Sequence, residues 1–256
     1  MADFTDTDLA GSRFSHVDLA GADLYDVDLS GARLREVDLT GVVISGAVLD
    51  GVDIDAHINN VVVNGVDVVP YVEAELDRRY PDRPKMRPTD AAGFREAWDV
   101  VERLWDGTMQ RARGLPPEAL HESVAGEWSF TQTLRHLVFA TDSWVRRAIL
   151  GDPAPWHPLG LPYDQMPDVE GVPRDRAARP SLDEVAELRR DRMAGVRAFL
   201  DTLTDERLAE DTEPVDGPGW PQPVSFPVRK CLLTVLGEEW QHRLYAERDL
   251  DALAAS

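Results

Sequence analysis

Glu238 and His242 stand four residues apart in a stretch whose apolar residues recur at helical spacing. On a helix, residues i and i+4 lie one above the other, so this carboxylate and imidazole can share one metal ion. The same spacing also suits an ordinary helix-stabilising surface pair, and the neighbouring residues bear on the choice. At 100° per residue, Cys231, Val235, Glu238 and His242 fall within about 60° of one another. Leu232, Leu233, Leu236, Trp240 and Leu244 form a separate, wider apolar face, and Lys230, Thr234, Gln241 and Arg248 take the remaining, solvent side. Glu238 and His242 are therefore expected to project from a second inward stripe. Cys231 shares that stripe, but its place eleven residues away sets it about 16 Å from His242 along the axis, too far to join the same ligands. Glu239, at the stripe's edge, is a substitute ligand. The third ligand must come from another element. His136 lies in an otherwise apolar helical segment, one residue before Leu137 and three before Phe139. Alone it reads as a hydrogen-bonded core histidine. With the pair it completes two imidazoles and a carboxylate, a set compatible with Zn²⁺, Ni²⁺, Fe²⁺ or Mn²⁺. Three protein ligands leave positions open to a small molecule.

The segment Trp156 to Asp164 is expected to cover such a site. In it, His157 and Tyr163 are candidates for orienting a substrate or for proton transfer; the plain alternative for His157 is a surface-loop histidine. Trp128 either packs at the start of a helix or touches the ligand. His16, His57 and His121 are assigned to surface or turn positions.

Four helices must position these groups. The first runs from about Asp90 to Arg113, with Phe94, Trp98, Val101, Leu104 and Trp105 on one face, and stops before Gly114 and Pro116-Pro117. The second opens at Ser129 with Gln132 three residues on, a capping-box pattern, and reaches about Leu150. A third opens at Ser181 with Glu184 and runs to about Leu203. The fourth extends from Pro227 to about Arg248, proline being favourable at a first helical position. Residues 151–180 and 214–227 are Pro/Gly-rich connections. Two long connections among four helices suggest a four-helix bundle.

The N-terminal quarter follows another rule. From Phe4 to Ile54 a large apolar residue recurs eleven times at intervals of five: Phe4, Leu9, Phe14, Leu19, Leu24, Leu29, Leu34, Leu39, Ile44, Leu49 and Ile54. Neither a helix nor a strand has that period; a solenoid turning one corner per repeat does. A small or β-branched residue stands two places before each large one, and Gly often two places after. Boundaries follow from the change of period: a solenoid over 1–70, with 59–70 as its closing segment, a linker over 71–89, and the helical domain over 90–252. Within the linker, residues 71–80 can form a short helix, and Pro81, Pro84 and Pro88 are expected to exclude regular structure.

The chain has 47 acidic and 27 basic residues, a net charge of −20, and roughly half of that charge lies before residue 70. This disfavours nucleic-acid and anionic-membrane partners, which require Lys and Arg. The single Cys231 excludes an intrachain disulfide and a cysteine-based zinc cluster. With no long apolar run and no signal peptide before the first repeat, a soluble cytoplasmic protein is expected.

The repeat unit, roughly Ala-Asp-Leu-X-X, resembles the pentapeptide-repeat family, which implies a right-handed four-sided β-helix. The segments Glu127-Trp128-Ser129, Leu134-Arg135-His136-Leu137 and Glu238-Glu239-Trp240-Gln241-His242-Arg243 resemble the DinB superfamily. That resemblance implies a four-helix bundle binding a divalent metal through a histidine on the second helix and a His-x-x-x-His pair on the last. His136 and His242 match this pattern, and Glu238 stands where the first histidine of the pair would be. It further implies a metal-dependent enzyme, a transferase using a low-molecular-weight thiol such as mycothiol on a small-molecule substrate, or a hydrolase. The solenoid would then be a docking or homodimerisation module. Two other readings stay open: a non-catalytic metal-binding scaffold for a protein partner, and DNA mimicry toward a topoisomerase, for which fewer than three coils make a short rod.

Overall fold

Three polar side chains set where three of the four long helices of this chain begin. In the computed structural model, which describes residues 4–255, Asp90 accepts a hydrogen bond from the Gly93 N–H at 2.7 Å. Ser129 and Ser181 exchange reciprocal hydrogen bonds with Gln132 and Glu184, so both expected capping boxes form, each cap stabilising its helix by about 1 kcal/mol. The chain divides into two units between His57 and Ile58.

The second unit opens with an antiparallel hairpin, β1 (Val62–Val63) and β2 (Val66–Asp67). Asn64 and Gly65 in its turn have φ of 50° and 82°, the left-handed pair that a two-residue hairpin turn needs. Helices follow as α1 (Val69–Arg79), α2 (Ala91–Ala112), α3 (Phe130–Thr141), α4 (Leu182–Thr202), α5 (Asp205–Leu208) and α6 (Val228–Ala254). Residues 59–70, expected to close the solenoid, thus belong to the helical unit. The expected linker is also more ordered than its prolines suggest. Pro84 enters a 3₁₀ turn, Arg83–Met86, where a missing N–H costs nothing. Arg83 and Arg87 each bridge Glu73 and Asp77 of α1.

α2 packs against α4 and α6, and α3 packs against the same two, so the four long helices close a ring. Phe94, Trp98, Leu134, Leu137, Val185, Leu200, Cys231 and Leu250 fill its centre, all at 1 % exposure or less. The last helix runs on to Ala254, beyond the expected Arg248. The second expected helix changes character at Thr141: Asp142–Arg147 is a π turn. There Ser143 donates to the Phe139 carbonyl at 2.7 Å, and Asp142 is drawn toward α4 by Arg192 at 2.7 Å. Both interactions favour a widened turn.

The first unit shows corners rather than strands. Ala2 and Asp3 of the first repeat lie outside the described residues. Turns recur at Leu9–Ser12, Leu19–Ala22, Leu29–Ala32 and Leu39–Val42, each closed by a backbone hydrogen bond. Gly11, Gly21, Gly31 and Gly41 hold the left-handed third position, φ 72–75°, which the turn reserves for glycine. Between them, Asp6, His16, Asp26 and Glu36 make a second kind of corner at φ 52–55°. The backbone period is therefore ten, twice that of the apolar residues. Among the described residues of this unit no strand forms, and Leu19, Leu24, Leu29 and Leu34 are each more than half exposed. The strand ladder of a β-helix is not seen.

Candidate metal centre

His136 points inward from the middle of α3, Glu238 and His242 from adjacent turns of α6, and the packing of these two helices brings them together. One ligand atom from each lies within 4.8 Å of the others. The i, i+4 spacing puts His242 Nδ1 3.2 Å from the Glu238 carboxylate and 3.0 Å from the Glu238 carbonyl. His136 Nε2 approaches the same carboxylate oxygen, Oε2, at 3.3 Å. The other nitrogen of His136 is already committed: Nδ1–H donates to the Leu161 carbonyl at 3.0 Å. A carbonyl can only accept, so the neutral ring keeps its lone pair on Nε2. That lone pair then faces a carboxylate oxygen, one acceptor against another. The arrangement calls for positive charge between them, either a proton or a cation, and a buried donor set of two imidazoles and one carboxylate suits a divalent metal.

The electrostatics agree. Burial pushes the His242 pKa down to about 4, with the charge of His136 acting in the same sense and Glu238 opposing it. Burial pushes the Glu238 carboxyl up, but the hydrogen bond to His136 and the charges of both rings outweigh it and leave it below the ordinary range. At neutral pH the site thus presents a carboxylate and a neutral His242, the forms that bind metals.

Aromatic rings wall the triad. Trp128 lies 4.7 Å from the His136 ring and 6.2 Å from that of His242, and its indole N–H donates to Asp164 at 3.1 Å. Trp128 is therefore placed at the triad. Phe139 packs beside His136 and Tyr245 edge-on against His242. Each stands three residues beyond a ligand, where helical neighbours meet, a spacing that the sequence itself displays. His157 and Tyr163 are not among the ligand atoms. The Nδ1 of His157 accepts from the Leu159 N–H within its own loop, and Tyr163 packs edge-on against Trp220. Glu239 is not a substitute ligand: both its oxygens are held by Arg189 at 2.6 and 2.7 Å, buried between α4 and α6. Cys231 is fully buried and outside the cluster, and burial pushes its thiol up to about 11.

No helix among the described residues is long and apolar enough to cross a membrane. Neither the curated proteins nor the solved structures offer a match to this chain. Pentapeptide repeats are matched in 8 copies over residues 2–41, fewer than the eleven counted from spacing alone; after residue 41, Val43 and Val48 take places that are usually polar. Residues 101–246 match the DinB superfamily. That stretch covers more than half of the sequence and includes His136, Glu238 and His242, so the chain belongs to the DinB superfamily and carries pentapeptide repeats ahead of its helical unit.

Proposed function

We propose that His136, Glu238 and His242 hold one divalent metal ion, and that the site serves a metal-dependent reaction on a small molecule, with a low-molecular-weight thiol as co-substrate. The observation that carries this reading is the convergence of three donors from two helices within 4.8 Å. A helix-stabilising surface pair would not recruit an imidazole from another helix. When bound, a divalent ion supplies Lewis acidity, making a thiol or water more acidic at neutral pH. The protein's own groups do the rest. Glu238 offsets part of the ion's charge. The Leu161 carbonyl holds His136 in the ligating tautomer. Trp128 and Tyr245 offer apolar faces to a ligand entering beside the imidazoles. A thiol from solution fits the absence of a usable one here, since Cys231 is buried and its thiol is hard to ionise.

The repeats are proposed to coil into a four-sided right-handed β-helix that docks a protein partner or a second copy. Support comes from the eleven apolar residues at intervals of five, whose exposed leucines such a coil would cover. Apolar surface on this scale is normally covered.

Titration of the metal-free protein with Zn²⁺, Ni²⁺ and Mn²⁺ tests the central reading. Wild type should bind at least one ion, His242→Ala none, and Cys231→Ala as wild type does. Glu238→His should bind more tightly, having three imidazoles. Absence of binding in wild type, or wild-type binding by His242→Ala, would leave the non-catalytic scaffold in its place. Thiol-dependent conjugation of a panel of electrophiles by the metal-loaded protein, lost in His242→Ala, would carry the reading from site to reaction.

A further inference from the structure

Arg135 stands beside His136 on α3 and is fully buried. Its side-chain hydrogen bonds run to main-chain carbonyls of the 151–180 connection. Nε donates to Leu159 at 2.8 Å, and the terminal nitrogens donate to Ala178 at 2.9 Å and to Asp175. Its own carbonyl accepts the Leu161 N–H at 3.1 Å. The Leu161 carbonyl in turn accepts from His136 Nδ1 at 3.0 Å. Residues 159–161 are thus tied to two consecutive residues of α3 at three points. The strap lies close: a Cβ on Gly160 would come within 3.1 Å of the His157 carbonyl and 3.8 Å of the Phe139 side chain.

Burying a guanidinium is expensive, and an aliphatic side chain could fill the same volume without that penalty. What an aliphatic group cannot do is catch three carbonyls of an irregular loop at once. We infer that Arg135 is a positioning residue: it fixes the Leu159–Leu161 strap so that the Leu161 carbonyl holds the proton of His136 on Nδ1 and leaves Nε2 turned toward Glu238. The inference deepens the metal reading above and rests on it for its consequence, though not for its geometry.

Arg147 provides the control. It follows α3 in the π turn and is equally buried. It donates to the carbonyls of Pro153, Val215 and Gly217, which is the same chemistry applied to carbonyls outside the Leu159–Leu161 strap. Two measurements on the full chain decide the matter. In the metal-free protein at neutral pH, long-range ¹H–¹⁵N correlation spectra report the imidazole tautomers, with His136→Gln assigning the His136 signals. Calorimetric titration then gives the affinity for Zn²⁺ and Ni²⁺. Wild type should show His136 as the Nδ1–H form. Arg135→Lys, which keeps the charge but not the fork, should populate the Nε2–H form and weaken metal binding about 10- to 100-fold, the usual range for groups that orient a ligand. Arg147→Lys should leave tautomer and affinity as in wild type, even if it lowers stability as much. An Nε2–H His136 in wild type overturns the inference without any variant. So does an Arg135→Lys protein with unchanged tautomer and affinity, or an Arg147→Lys protein as impaired in metal binding as Arg135→Lys. Wild type that shows the Nδ1–H form but takes up no metal overturns the metal reading alone.

Discussion

A neutral imidazole at His242 makes the metal-free protein sensitive to acid. In the unfolded chain a histidine takes up its proton near pH 6.5, whereas folded His242 resists until about 4. Between those values the unfolded state binds the extra proton, so stability falls as pH drops through that window. Glu238 extends the trend to lower pH, since its contribution is lost below its ordinary value as pH falls through its own lowered pKa. The loss from His242 alone is expected to be on the order of 2–3 kcal/mol between pH 7 and pH 4.5. Urea midpoints of chelator-treated protein at several pH values measure it, and His242→Gln should flatten the profile. Buried Asp142, pushed up to about 6, titrates in the opposite sense over the same range, so the difference between the two profiles is the readout: a His242→Gln profile with the slope of wild type would show that His242 is not held neutral. At this scale the sequence disclosed a good deal. Three side chains able to bind a metal carry their chemistry in their identity, and helical spacing fixes where two of them point. The group that sets the His136 tautomer is a main-chain carbonyl at Leu161, and every residue has one, so no pattern of side chains could single it out. That Glu239 serves an ion pair and not the metal is hidden in the sequence, because its partner, Arg189, lies on a helix whose rotation spacing does not reveal.

Helices were legible at their starts. Asp90, Ser129 and Ser181 act within three residues, a range that sequence displays directly. The π turn after α3 was not legible, because it depends on Arg192 reaching Asp142 from α4, nor was the order given to 71–89 by the arginine pairs with α1. Between α4 and α6 the buried bidentate pair Arg189–Glu239 should behave as such pairs do. Glu239→Gln leaves Arg189 without its countercharge and is expected to cost about 3–5 kcal/mol, while Arg189→Met with Glu239→Leu should recover most of that loss. Chemical denaturation of the single and double variants checks this; a single variant as stable as wild type would mean that solvent reaches the pair.

At the scale of the whole molecule, the two units answer to different physics. The helical unit buries a continuous core, and the first unit displays its apolar column. Leu24→Asp separates the two accounts of that column. If the repeats coil, the substitution buries a charge in a narrow core and should abolish the first unit's thermal transition, a loss of several kcal/mol, while that of the helical unit persists. Calorimetry on the full chain reads both. An unchanged thermogram would mean that Leu24 faces water and that the repeats do not coil. The period of five was plain in the sequence because it lies in residue size; the backbone period of ten was not, because it lies in which corner is left-handed, and Asp, His and Glu share that duty with Gly. The alternation has a consequence for how this segment can change length. Gaining or losing five residues would keep every large residue in its column but exchange the two kinds of corner, placing Asp26 or Glu36 where the backbone asks for glycine. Gaining or losing ten would disturb nothing. The eight matched copies are then four modules of two, and the pair is the step that keeps each glycine at its own corner.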